Sequence, residues 1–361
     1  MKIRTEPIGS IPRPLELIEG MQAHALGRLD DKGFNKLIDE ALADTIKRFE
    51  ATGSPVITDG EQTKPSFATY PISGSNQLNS NGVVIPFADG HKRQLPTITG
   101  GPFRYQVYAN TYLEKAKEFT TLPVKQAVIA ASALSLLYPQ TGIIDYSRQQ
   151  FIGDLLNEAE ADIRKCLNGG AYHVQIDFTE ARLALKLDPS GGLLQSFIDL
   201  NNQVLSRFTG EERRRIGVHS CPGGDHDSTH SADISYADLL PFLFQLKAGN
   251  FYLEYAGEKN KASVLASIKE NIRAGQTVFL GVTNVLVPRV EAPEEIRDMI
   301  LEAAAVIPVN QIGTTDDCGF SPFADDTSTS RDIAFEKIKA RIDGTLLAEK
   351  AINKTTVNLI P

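Results

Sequence analysis

The stretch "RIGVHSCPGGDHDSTHSADISYADLLPFLFQLKAGNFYLEYAGEKNKASVLASIKENIRAGQTVFLGVTNVL" (residues 215–286) alternates short apolar runs with longer segments of helical spacing. The strand-length runs "RIGVHSC", "NFYLEYAG" and "TVFLGVTNVL" are separated by "SYADLLPFLFQL" and "KASVLASIKENIRAG", which are long enough for helices. Strands that alternate with helices in this way predict a parallel sheet with helical crossovers. The same alternation continues on both sides of this stretch.

The whole chain contains eight such strand–helix units and no change of composition that would mark a linker. We therefore predict the α/β class and a closed (β/α)8 TIM barrel, as a single domain over residues 1–361. Residues 70–106 interrupt the alternation and are predicted to form an inserted hairpin and loop after the second strand, with "ADG" as the turn. A doubly wound open sheet is the alternative, but no glycine-rich phosphate loop follows the first strand.

Composition narrows the range of partners. The 361 residues carry a formal net charge of -8, which argues against a nucleic-acid-binding surface. The N-terminus lacks the apolar core of a signal peptide, and no apolar run approaches the ~20 residues that span a bilayer. We expect a cytoplasmic protein with no membrane or nucleic-acid partner. The composition does not decide whether the chain forms a homo-oligomer. The three cysteines are too few for a disulfide framework and are expected to be reduced.

Polar residues occur where the predicted strands end. In a (β/α)8 barrel the active-site residues lie at these carboxyl ends. The side chains found there are mainly acids, thiols and an imidazole, a composition typical of a metal site with a polar substrate pocket. They are Ser10, Asp59, Glu61, Ser132, Asp177, Glu180, His219, Cys221, Glu254, Thr283, Asn284, Thr315, Asp316, Asp317 and Cys318.

His219 and Cys221 are two positions apart, so on a continuing strand both side chains point the same way. An imidazole and a thiolate on one face make two ligands of a tetrahedral zinc site. The alternative is a partly buried histidine beside an ordinary core cysteine. Cys318 at the end of the eighth strand and Glu254 at the end of the sixth favour the metal site, because an unpaired buried glutamate is costly. Cys166 lies within a predicted helix and is interpreted as core packing.

Five short motifs, in order and each at a strand end, carry a family resemblance. They are "IGSIPRP" (8–14), "TDGEQ" (58–62), "QIDFTE" (175–180), "HSC" (219–221) and "DDCG" (316–319). Together they resemble the C-terminal catalytic barrel of cobalamin-independent methionine synthase, and the likeness covers essentially the whole chain. The texts "HSCPGGD" and "GTTDDCGFSPF" are similar to those of a stand-alone, single-barrel, methionine-synthase-like branch.

The resemblance implies a zinc ion (Zn2+) held by His219, Cys221, Glu254 and Cys318. It also implies that homocysteine is bound through Ile8, Ser10, Glu61 and Asp177, and we count Glu180 with these substrate-binding residues. Zinc would hold a substrate thiol as thiolate for attack on a methyl carbon. Carboxylates would hold the ammonium of an amino-acid thiol. The expected partners are therefore a small-molecule thiol and a methyl donor.

The chain departs from the family on the side of the methyl donor. The family stacks methyl-folate on a tryptophan, and this chain has none, although Tyr138 or Phe103 offer substitute rings. Leu286 occupies the place of the family's catalytic histidine, which leaves Asp316 or Asp317 as the candidate acid. The glutamate after the "ID" motif is displaced to Glu180. We therefore expect weak or no activity with methyl-folate.

The function that the sequence favours is a zinc-dependent S-methyltransferase resembling the 5-methyltetrahydropteroyltriglutamate–homocysteine enzymes. The alternative is a zinc-dependent thiol alkyltransferase or lyase acting on epoxides or C–S bonds. A zinc hydrolase ranks lower, because two thiolates reduce the Lewis acidity of the metal. A non-enzymatic zinc-stabilised barrel conflicts with the polar pocket.

Overall fold

The structure is a computed structural model that describes residues 2–357. The strands are β1 (Arg4–Thr5), β2 (Leu78–Asn79), β3 (Val84–Pro86), β4 (Lys92–Gln94), β5 (Thr97–Ile98), β6 (Gln126–Ile129), β7 (Val174–Asp177), β8 (Ile216–Ser220), β9 (Gly224–Asp225), β10 (Ser228–Thr229), β11 (Asn250–Leu253), β12 (Thr277–Gly281) and β13 (Ile312–Thr315). The α-helices are α1 (Leu15–Ala25), α2 (Asp31–Ala51), α3 (Asn110–Lys117), α4 (Ala131–Ser135), α5 (Arg148–Asn168), α6 (Glu180–Leu187), α7 (Gly192–Leu205), α8 (Gly210–Arg213), α9 (Tyr236–Leu243), α10 (Lys261–Asn271), α11 (Pro293–Ala304) and α12 (Arg331–Val357). Short 3-10 helices cover Tyr70–Ile72 and Val309–Gln311.

Seven parallel strands form one sheet in the order β1-β13-β12-β11-β8-β7-β6. The second strand of the barrel is represented by Ile57, which makes a parallel bridge to Val124. Strands that are adjacent in the sheet are thus consecutive barrel strands along the chain, as in a (β/α)8 barrel. In a doubly wound sheet, by contrast, the strand order reverses at one point. The predicted (β/α)8 barrel is confirmed. The second strand is reduced to this single bridge because the chain soon turns, with positive φ at Gly60 and Glu61.

The predicted hairpin after the second strand is present as two antiparallel ladders, β2 with β5 and β3 with β4. Its tip closes through a hydrogen bond of 3.0 Å from Gly90 N to Phe87 O. Next to the tip, Ala88 N donates to Thr229 O at 2.9 Å. The hairpin therefore folds against the loop that follows β8, at the mouth of the barrel.

Alternation along the strands separates two kinds of core. Phe251 of β11 belongs to the large apolar core between sheet and helices, whereas the next residue, Tyr252, does not. Tyr252 and Phe279 form a separate cluster with Ile8, with the two rings stacked 4.7 Å apart. Successive side chains of a strand point to opposite faces, so this second cluster fills the barrel interior. A Cβ on Gly217 would lie 2.5 Å from the Tyr252 ring, so glycine makes room for the aromatic side chain.

None of the helices within residues 2–357 is both long enough and apolar enough to cross a bilayer.

Candidate metal centre and substrate cavity

Three buried side chains meet at the carboxyl ends of two barrel strands. His219 lies in β8, Cys221 directly follows β8, and Cys318 follows β13. One ligand atom from each lies within 4.8 Å of the other two. The group combines an imidazole and two thiols, donors that suit zinc.

The orientation of His219 is fixed by the backbone of the neighbouring strand, β11. Its Nδ1 lies 3.1 Å from the carbonyl oxygen of Tyr252, to which a protonated Nδ1 donates. That bond leaves the lone pair on Nε2, which is buried and has no hydrogen-bond partner. An orphaned imidazole nitrogen beside two thiols fits a metal ligand, and the carbonyl bond is the usual way to orient one.

The two thiols are in direct contact, with Cys221 Sγ and Cys318 Sγ 2.9 Å apart. The hydrogen bond from Cys221 holds the pKa of Cys318 well below its usual value and raises the pKa of Cys221. One sulfur is thus prepared as a thiolate, the form that binds metal. Cys166, in contrast, is fully buried in α5 and far along the chain from this group, which agrees with a packing role.

Glu254, the predicted fourth ligand, follows β11 and is buried. Its Oε2 accepts from Arg182 Nη1 at 2.9 Å, and Arg182 also contacts Glu258 at 2.7 Å. Among residues 2–357, the group of atoms within 4.8 Å contains the three residues above and not Glu254. Burial raises the pKa of Glu254, and the guanidinium of Arg182 opposes that rise.

A cavity lined in part by His219 and Cys318 opens beside this group. Four of the predicted substrate-binding residues line it, namely Ile8, Ser10, Glu61 and Asp177. Aromatic and cationic residues from three separate loops close its outer side. They are Phe67, Phe87, Arg93 and Phe323.

The polar residues of this cavity are held by buried neighbours. Glu61 Oε1 is paired with Lys64 Nζ at 2.9 Å, and both side chains are almost fully buried. Asp177 Oδ1 accepts from Gln175 Nε2 at 2.7 Å, and burial raises the pKa of Asp177 to about 6. Ser10 Oγ accepts from the Ser321 backbone at 3.2 Å. The cavity thus presents two carboxylates, of which one is already neutralised in part by a lysine.

Asp316, the predicted acid, does not line this cavity among the described residues. It accepts from Thr283 Oγ1 at 2.9 Å and lies 3.3 Å from Arg341 Nε. Asp317 accepts three backbone N–H groups, those of residues 255–257, at 2.7 to 2.9 Å. Asp317 therefore anchors the loop that follows Glu254. Leu286 also lies outside the lining of this cavity.

Glu180 lines a second, adjoining cavity. Its Oε1 accepts from Ser132 Oγ, and its Oε2 is buried without a partner. Burial raises the pKa of Glu180 to about 7.

Sequence reasoning missed three cationic residues that shape the site. Lys64 pairs with Glu61, and Arg182 pairs with Glu254. Arg93 comes from the inserted hairpin and binds Asp225 Oδ2 at 2.5 Å and Asp325 Oδ1 at 2.8 Å, so it ties three loops together over the mouth. Insertion of the hairpin at the carboxyl end of a barrel strand was the one available signal for Arg93.

A (β/α)8 barrel with an imidazole–dithiol group at its strand ends, open to a cavity with carboxylates, is an arrangement typical of enzymes that act on a small polar substrate and could hold a metal. The family described as "Cobalamin-independent synthase, Catalytic domain" matches residues 3–332. The chain therefore belongs to this family.

Relatives and solved structures agree with this assignment. The chain is 20% identical over 355 residues to the methionine synthase of Pyrococcus furiosus, covering 97% of this chain and 94% of that protein. It is 24% identical over 322 residues to the 5-methyltetrahydropteroyltriglutamate–homocysteine methyltransferase of Trichodesmium erythraeum, covering 87% of this chain and 40% of that protein. The structure of a B12-independent methionine synthase from Shewanella sp. W3-18-1 in complex with selenomethionine superposes with a TM-score of 0.77 at 18% identity, covering 98% of this chain and all of that one. At this identity the structural likeness shows the fold.

Proposed function

We propose that this protein is a zinc-dependent S-methyltransferase that methylates the thiol of homocysteine or a similar amino-acid thiol. The observation that carries the proposal is the buried group of His219, Cys221 and Cys318 opening into a cavity lined by Ser10 and Asp177. Family membership and the names of the relatives support the same reaction.

The metal would be held by His219 Nε2 and the sulfurs of Cys221 and Cys318, with Glu254 as the fourth ligand. When bound, zinc lowers the pKa of a substrate thiol and keeps its sulfur as a nucleophilic thiolate near neutral pH. Glu254 has an alternative partner in Arg182, which already holds its carboxylate at 2.9 Å. This ion pair supports an exchangeable role for Glu254, because its negative charge stays compensated when a thiol takes its place.

The amino end of the substrate would be held by carboxylates. Asp177 is the stronger of the two candidates, because Gln175 is a neutral partner and leaves its charge available. Glu61 shares its charge with Lys64, so it would contact the substrate ammonium and also keep that lysine in place. Ser10 and Ile8 come from the segment after β1 and border the same cavity.

The decisive experiment is zinc K-edge absorption with and without homocysteine. We expect one zinc per chain with two sulfur ligands, and a third sulfur after homocysteine is added. An unchanged coordination sphere, in protein that binds homocysteine, would contradict thiol activation by the metal. Cys166→Ser is a matched control, since that buried cysteine should leave the spectrum unchanged.

A further inference from the structure

A fully buried lysine lies inside the barrel, behind the wall of the substrate cavity. Lys125 directly precedes β6, and its Nζ donates to Gln175 Oε1 at 2.6 Å. The same Nζ lies 4.0 Å from the centre of the Tyr252 ring. In the described chain this ammonium forms no direct ion pair with a carboxylate. A buried cation without a direct counter-ion is costly, so its charge must be compensated from a greater distance.

Gln175 connects this lysine to the substrate cavity. Gln175 and Asp177 are two positions apart in β7, so their side chains point to the same face of the strand. Gln175 Nε2 donates to Asp177 Oδ1 at 2.7 Å, and both residues line the cavity. A protonated lysine can only donate and a carboxylate can only accept, so the amide between them is held in one orientation. Within residues 2–357 no other hydrogen bond reaches the Asp177 side chain, which leaves its Oδ2 available to a ligand.

The two carboxylates of the cavity are compensated in different ways. Lys64 Nζ contacts Glu61 Oε1 directly, at 2.9 Å. Lys125 acts on Asp177 through the intervening amide, so its charge offsets that of the carboxylate without occupying it. Asp177 therefore keeps room for a second cation, whereas Glu61 already has a cation in contact.

We propose that Lys125 is a positioning residue for the amino-acid thiol. Acting through Gln175, it holds the Asp177 carboxylate in place and compensates its charge, so that Asp177 receives the ammonium of the substrate. The proposal rests on the function proposed above and adds a residue that is not among the described residues of the cavity wall. Recognition of the amino group then depends on a lysine that does not touch the substrate.

The charge of Lys125 is sensitive to pH near the upper end of the physiological range. Burial is the largest effect and lowers the pKa of Lys125 to about 8, although nearby acids oppose it. The charged and titratable groups around it are Glu6 after β1, Asp177 of β7, Tyr252 of β11, Asp316 after β13 and Arg341 of α12. Above about pH 8 the lysine loses its charge, and its Nζ can then accept as well as donate. Both the compensation of Asp177 and the fixed orientation of the amide are then lost.

The test measures how strongly the protein prefers a thiol that has an amino group. Homocysteine and 4-mercaptobutanoate share the thiol, the chain length and the carboxylate, and only homocysteine has the amino group. The dissociation constants of both are measured by calorimetry on zinc-loaded wild type, Lys125→Met and Gln175→Met. We expect the preference for homocysteine to fall about 10-fold or more in each variant, the scale of a lost charge-assisted contact. The affinity for 4-mercaptobutanoate should stay within about threefold of wild type, and the double variant should lose no more preference than either single one.

The pH dependence separates this role from a purely structural one. Between about pH 7 and pH 9 the preference for homocysteine should fall more in wild type than in Lys125→Met, since titration of the substrate is common to both proteins. Lys337→Met is the matched control, because Lys337 is an equally buried lysine that pairs with Glu291 and is not among the described residues of the cavity wall. It should keep the wild-type preference and its pH dependence.

A wild-type preference in folded, zinc-loaded Lys125→Met would overturn the proposal. If that variant does not fold, an unchanged preference in Gln175→Met overturns it equally, because Asp177 would not need the connection. A wild type that binds both thiols alike would also overturn it and would leave thiol methylation intact. If neither thiol enters the coordination sphere of the zinc in wild type, the proposed function is refuted and this inference with it.

Discussion

Replacing Glu180 with glutamine should change how the stability of the protein depends on pH. The carboxyl of Glu180 has its pKa raised from 4.5 to about 7, chiefly by burial. Between these two values the folded protein keeps the proton and the unfolded chain releases it. Because unfolding then releases a proton, stability is highest below pH 4.5 and is lost as the pH rises through about 7.

The size of the effect follows from the shift. Each pKa unit corresponds to about 1.4 kcal/mol, so the full penalty is roughly 3 kcal/mol, of which about 2 to 3 kcal/mol develops between pH 5 and pH 8. Glutamine carries no charge at any pH and lacks this penalty. The free energy of unfolding of Glu180→Gln, relative to wild type, should therefore increase by about 2 to 3 kcal/mol over this range.

Urea unfolding of both proteins, followed by circular dichroism at several values from pH 5 to pH 8, measures this difference. Ser132→Ala provides a check of the opposite sign, since the Ser132 hydrogen bond lowers the pKa of Glu180 and its loss should steepen the dependence. If the difference between wild type and Glu180→Gln stays constant with pH, the carboxyl is already ionised in the folded protein. That result would refute the protonated state of Glu180 in the folded protein.

Four further predictions concern the metal, the thiol substrate and the donor. Metal analysis of Cys221→Ser and Cys318→Ser should show near-complete loss of zinc, and full retention in both would disprove the ligand assignment. Asp177→Asn should weaken homocysteine binding by about 1–3 kcal/mol in a calorimetric titration, and unchanged affinity would indicate a thiol without an amino group. Glu61→Gln should weaken it on the same scale and, by leaving buried Lys64 unpaired, should also lower the free energy of unfolding by about 3–5 kcal/mol in urea titration. Steady-state assays with methyl-folate, in mono- and polyglutamate forms, and homocysteine should give a kcat below about 1 per second, and a faster rate would restore the plain methionine-synthase reaction.

The sequence by itself determined the barrel and the edge on which the site lies. Strand and helix patterns depend on local periods of about 2 and 3.6 residues, which can be read without any distant contact. Helix α2 (Asp31–Ala51), for example, carries the apolar residues Phe34, Leu37, Ile38, Ala41 and Ile46 at helical spacing. The two-residue spacing of His219 and Cys221 is a local feature of the same kind, and it indicated a metal site before Cys318 was placed.

Partners from distant segments were decided only by the tertiary structure. Asp316 and Asp317 are adjacent, yet one binds Arg341 and the other binds the loop after β11. No local pattern tells which of two neighbouring acids faces the cavity, since that depends on where the strand ends and how its loop turns. The predicted acid Asp316 therefore lies outside the cavity beside the metal group, while Glu180 lines the adjoining cavity.

The charge state of the site also depended on tertiary contacts. Lys64 and Arg182 neutralise two predicted site glutamates, Glu61 and Glu254. Arg93 reaches the mouth from a hairpin more than a hundred residues away from its partner Asp225 in the chain. A buried charge is stable only beside a compensating one, and in a closed barrel that compensating charge comes from whichever segments the ring closure brings together. The spacing of residues along the chain does not show which opposite charges meet in the folded protein. The ionisable groups can therefore be read from the sequence, but the fold decides which of them stay charged.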